Sequence, residues 1–127
     1  MARFELNGVK RMDYNRAIAT AKRLIRENGR EMRLISTTET GNPWEEQTVT
    51  ETETVFMAAQ TEFSQADQTK WVIATGDIKI LIAGNQLSTT PYVNQRLIDG
   101  TDEYQVKNIE TVRVGEPVIL WKLHCGR

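Results

Sequence analysis

The chain is poor in the residues that build reactive sites. Its 127 residues include one cysteine, one histidine and three prolines, and its eight glycines are scattered singly. A single cysteine, Cys125, excludes an internal disulfide framework, so the fold has to rest on its core. A chain of this length forms one domain and buries roughly two-thirds of its unfolded surface, enough for such a core. One histidine and one cysteine do not make a zinc set. Scattered glycines make no phosphate-cradling loop, and no serine sits in a nucleophile elbow. The longest apolar runs, Val55–Ala59 and Val118–Trp121, fall far short of the ~20 residues of a membrane span. Met1–Leu6 lacks the apolar stretch of a secretory signal, which points to a reducing cytoplasm and no membrane partner. These absences lead us to expect a non-enzyme with no catalytic residue, no cofactor and no metal.

Positive charge is missing from the middle of the chain. The totals nearly cancel, with 16 Lys and Arg against 17 Asp and Glu. Residues 1–33 nevertheless carry nine basic and four acidic side chains, whereas residues 34–69 carry seven acidic side chains and no Lys or Arg. A protein that simply coats nucleic acid is basic overall, and this one is not. The segregation is instead a statement about separate surfaces.

Helical periodicity occurs once. Asp13 is a suitable N-cap, and Tyr14, Ala17, Ile18, Ala21, Leu24 and Ile25 form an amphipathic stripe. Asn28-Gly29 closes the helix, so we place it over residues 13–28, after an arm at 1–12. Period two then takes over. We read Met32–Ser36 as a short strand, residues 36–47 as a long acidic loop and Thr48–Ala58 as a strand. Gln60–Thr69 reads as loop or a helical turn. Further strands are expected at Lys70–Thr75, Ile78–Ala83, Glu103–Val114 and from Val118 onward, with Gly115-Glu116-Pro117 as a hairpin turn. The last strand places Trp121, Leu123 and Cys125 on one face. One helix plus five to seven short strands predicts a mainly β fold, a small barrel or sandwich within a single domain at 1–127. The barrel is placed at 48–127. A closed barrel would hide edges that such strands otherwise expose to aggregation.

A few residues merit individual weighing. His124 and Cys125 are adjacent on a strand and therefore diverge, which suggests an exposed imidazole and a buried thiol, not a catalytic pair. Glu51 and Glu53 share one strand face, where they could form an acid/base pair or bind a hard cation, and with Asp77 they are the carboxylates a small carboxylate-dependent enzyme would use. A solvated strand face is the plainer reading. Arg16, Lys22, Arg23 and Arg26 form the polar face of the helix, suited to an acidic partner. Aromatic residues are not interleaved with them, unlike in single-strand nucleic-acid binders. Trp44 lies in the acidic loop, either as an interface anchor or tucked onto its own barrel.

In order and spacing, the chain resembles the head-closure or head–tail connector proteins of tailed bacteriophages. The carrying features are Ala17-Ile18-Ala19, Leu24-Ile25 and Gly29 in the helix, followed by Met32-Arg33-Leu34-Ile35. The most specific stretch runs from Gly76-Asp77 into Ile78–Ala83, then Pro91, Asp99–Val106 and Asn108-Ile109-Glu110. It ends with Gly115-Glu116-Pro117 and Val118–Leu123. Asn94-Gln95 and the order of the Gly and Pro in the last turn depart from the family pattern. The resemblance implies a structural virion protein at the phage neck. It would form a ring, commonly of twelve copies, between the portal and adaptor of the head and the tail or its terminator. Such a ring seals or lines the channel for genomic DNA. A head–tail adaptor or tail terminator is the alternative within the neck. A nucleic-acid-binding barrel or a carboxylate-dependent enzyme is the alternative outside it. Within the resemblance, Glu39, Glu45, Glu46, Glu51 and Glu53 face the channel or a neighbour, and Arg16, Lys22, Arg23 and Arg26 dock a partner.

Overall fold

The structure, a computed structural model, describes residue 16, residues 18–113 and residues 118–127. Helix α1 covers residues 18–28, with Arg16 also helical. The expected arm, the Asp13 cap and the Gly115-Glu116-Pro117 turn lie outside the described residues. The strands are β1 (Arg30–Thr40), β2 (Thr48–Thr61), β3 (Ile78–Ala83), β4 (Arg96–Asp99), β5 (Asp102–Arg113) and β6 (Val118–Gly126). A short helix α2 (Gln65–Lys70) joins β2 to β3.

Every neighbouring pair is antiparallel, and the order β1-β2-β3-β6-β5-β4 closes on itself as a barrel. Closure leaves the barrel wall without an edge, which suits strands this rich in Thr, Val and Ile. Alternation along each strand sends one set of side chains inward. Met32, Leu34, Phe56, Ile80, Ile82, Leu97, Val106 and Leu123 pack there in a single cluster with Tyr104, Trp121 and Cys125. A second cluster lies outside the wall, where Ile18 and Ala21 of α1 cover Leu81, Val112 and Leu120. β3 is thus buried on both faces, which explains its nearly continuous apolar run.

Three expectations are corrected. Residues 36–47 are not a long loop: β1 continues to Thr40, β2 begins at Thr48, and residues 41–47 alone lie outside strands. The cause is a ladder of hydroxyl residues, Ser36 opposite Thr52, Thr38 opposite Thr50 and Thr40 opposite Thr48, whose strand preference outweighs the local Glu, Gly and Asn. The barrel accordingly begins at β1, not at residue 48. Lys70–Thr75 is not a strand. Ser64 and Asp67 form a reciprocal capping box that starts α2, and the chain after Trp71 runs irregularly to Asp77. β4, four residues long, had no clear period of its own. It is held by β1 and β5 on its two sides.

Candidate functional site

Two surfaces and one buried network stand out. The first surface is a two-stranded ribbon. β4 pairs with β1 only over Arg33–Ile35, and β3 pairs with β2 only over Ala58–Thr61. Beyond those contacts β1 and β2 have each other alone. The five residues Ser36–Thr40 carry the ribbon about 17 Å from the wall at ~3.4 Å per residue. One ribbon face continues the barrel's inner side as Ser36, Thr38, Thr40, Thr48, Thr50, Thr52 and Thr54. The other carries Glu39, Val49, Glu51, Glu53 and Val55. The ribbon's base is pinned: the Thr37 N–H donates to the Tyr92 hydroxyl at 3.4 Å, and the Met57 N–H donates to Gln86 Oε1 at 3.3 Å. The Gln95 amide also donates to Ser36 Oγ at 3.0 Å.

The acidic residues divide into two groups. Arg33 pairs with Glu53 at 2.5 Å, and Arg96 pairs with Glu51 at 3.2 Å as well as with Glu103 at 2.5 Å. Glu51 and Glu53 thus share a face as expected, but basic neighbours already answer them. Glu39, Glu45 and Glu46 at the outer end form no ion pair among the described residues, and all three are exposed. Trp44 stands between them at 81% exposure, so it is not tucked onto the barrel. Val49 and Val55 are also exposed.

The second surface is the outer face of α1. Ile18, Ala21, Leu24 and Ile25 turn to the barrel, and Arg16, Lys22, Arg23 and Arg26 point to solvent. Beside the helix a groove of about 350 Å³ has an apolar floor of Ile18, Leu24, Leu81 and Leu120. Of the charged groups at its rim, Lys79 is committed to Asp67 and Glu110 to Lys70, whereas Lys122 forms no ion pair among the described residues.

The network lies under α2. His124 is not exposed but fully enclosed, at 0%. It does point away from Cys125, onto the outer side of the wall, but Trp71 stacks on it (5.5 Å, 18°) and Phe63 meets it edge-on (5.2 Å). Trp71, inside the stretch Lys70–Thr75 expected to be a strand, instead forms this lid just after α2. The Asn108 amide donates to Nδ1 at 2.9 Å, so the ring proton sits on Nε2 and reaches Asp77 Oδ2 at 2.7 Å. Asp77 also accepts from the Ala74 N–H at 2.9 Å and from Lys107 Nζ at 3.2 Å. Burial by itself would raise the Asp77 pKa. The bonds from Ala74, His124 and Lys107 overcome it and hold the carboxyl below its ordinary value. Asp67 behaves alike: burial opposes, and Lys79 with Ser64 prevails. Burial, with Asp77 second, pushes the Cys125 thiol up to about 12. Asp77 therefore does not join Glu51 and Glu53 in one site. It ties the segment after α2 and the start of β3 to β5 and β6, and the His124 ring it holds lies under the aromatic cover of Phe63 and Trp71. Among the described residues, no three His, Cys, Asp or Glu side chains converge as metal ligands, and no helix is long and apolar enough to cross a membrane.

The site residues named from the sequence thus fall on the ribbon, with Glu39, Trp44, Glu45 and Glu46 at its end and Glu51 and Glu53 toward its base, and on the outer face of α1. Sequence reasoning missed the His124–Asp77–Asn108 network. The capping pattern of Ser64 and Asp67 was the available sign that an element would cover His124. No family model, curated protein or solved structure matches the chain.

Proposed function

We propose that the chain is a structural ring protein of a tailed-phage neck, joining the portal and adaptor of a DNA-filled head to the tail. The observation that carries this reading is the ribbon, a regular arm that leaves a closed barrel and ends in exposed Trp44 and carboxylates with no ion pair among the described residues. An arm of this kind contributes little to its own barrel. An isolated two-stranded hairpin is marginally stable in water, which makes it a natural contact element for a neighbour. The order-and-spacing resemblance to head-closure proteins supports the same reading. Head closure suits the β architecture better than a mainly helical adaptor does. The burial of His124 and of the Asp77 side chain weighs against a carboxylate enzyme, and the acidic arm against a nucleic-acid-binding barrel.

The test is electron microscopy of particles from a phage encoding a tagged copy. A ring at the head–tail vertex, with tailless or leaking heads when the gene is removed, is the expected result. Particles that lack the tag would overturn it. A persistent monomer that binds DNA tightly and loses it with added salt would favour the nucleic-acid-binding alternative.

A further inference from the structure

From the unpartnered sheet face of the ribbon and the outer face of α1, we infer that these two surfaces bind each other between copies. The ribbon end of one chain would lie along the basic side of α1 in the next. The inference supplies the subunit seam of the proposed ring and rests on that reading.

Shape and charge both select this occupant. On the wheel of an α-helix, Lys22, Arg26, Arg23 and Arg16 follow one another over about 120°, a third of the circumference. Ala19 falls in the middle of that arc and is exposed. The arc is therefore a shallow saddle with four cations around a methyl group. The ribbon end is its complement, an exposed indole with Glu39, Glu45 and Glu46 around it. The Trp44 ring seated over Ala19 brings carboxylates toward cations and lets arginine lie on the indole face.

The other occupants fit less well. A second ribbon laid against this one would bring two sets of Glu39, Glu45 and Glu46 together with no cation between them, and facing like charges are destabilising. A phosphate backbone would meet the same carboxylates. The contact is not made within one chain in the arrangement seen: no ion pair joins α1 to the ribbon among the described residues. Two different patches meeting make a head-to-tail interface, and repetition of such an interface yields a ring or a filament.

The test uses the full chain. Trp44→Cys and Ala19→Cys placed together in one chain should give a ladder of disulfide-linked oligomers under mild oxidation. Either variant alone should not. Glu39→Lys, Glu45→Lys and Glu46→Lys combined should cut self-association by about tenfold or more, as should raising salt from about 0.05 M to about 0.5 M. Arg16→Glu, Arg23→Glu and Arg26→Glu combined should do the same. An equal mixture of the two reversed chains should recover association, since each then offers the other opposite charge. Absence of the ladder at high concentration and low salt overturns the inference, as does a ladder indifferent to both reversals. If the ring is present on particles while the ladder is absent, the seam fails and the neck reading stands. If the ladder forms and particles lack the protein, the seam stands and the neck reading fails.

Discussion

Asp77 shows how much one carboxylate can hold. It accepts from Ala74, Lys107 and His124 at once, and each donor belongs to a different part of the wall or its cover. Asp77→Ala leaves the enclosed His124 Nε2–H without an acceptor and Lys107 without its carboxylate. We expect a loss of about 3 kcal/mol, read as a lower urea midpoint at unchanged slope. Asp67 and Asp77 both have folded pKa values below the ordinary 3.8. Each therefore releases its proton more readily when folded than when unfolded. Their stabilisation is complete above about pH 5 and falls away as acid carries the solution down through the folded values. Urea midpoints should be level between about pH 5 and pH 7 and drop toward pH 3. In Asp77→Asn, where the remaining buried aspartate is Asp67, the drop should be smaller. Cys125 gives a third measurement. With its thiol pushed up to about 12 and no exposed surface, it should resist thiol reagents in the folded protein at pH 8 and react at once in urea.

Elements differ in how openly the sequence announces them. β3, β5 and β6 declare themselves through alternation or an apolar run bounded by turns, because each has a face that must enter the barrel. α1 declares itself by its stripe. β4 and the outer end of β1 do not, since hydroxyl pairs or neighbouring strands support them and a core does not; the outer end of β2 was legible in its Thr and Val alternation. α2 hid in a polar stretch and depends on its cap. The acidic and basic surfaces were legible as counts. Their division into answered charges (Glu51, Glu53) and unanswered ones (Glu39, Glu45, Glu46) needed Arg33 and Arg96 placed in space. Two expectations follow at this scale. Replacing residues 41–47 with a two-residue Asn-Gly turn should leave the melting temperature within a few degrees, because the removed residues are exposed throughout. Gly84→Ala should be costly. A Cβ there would come 1.7 Å from the Val118 carbonyl oxygen, so the turn after β3 must move off β6, with a loss of about 3 kcal/mol measurable in urea.

At the scale of the molecule, the barrel joins strands far apart in the chain. β6 sits between β3 and β5, and β4 returns to pair with β1. The final strand therefore completes the wall by entering a gap between two strands made earlier. During synthesis, β3 and β5 have to wait with raw edges until residues 118–126 have cleared the ribosome. A messenger cut short after β5 would yield a chain with two unsatisfied strands and without the Trp121, Leu123 and Cys125 that β6 adds to the inner lining, a ready substrate for chaperones and proteases. Topology itself thus imposes a quality check: only a polypeptide translated through β6 can close its wall.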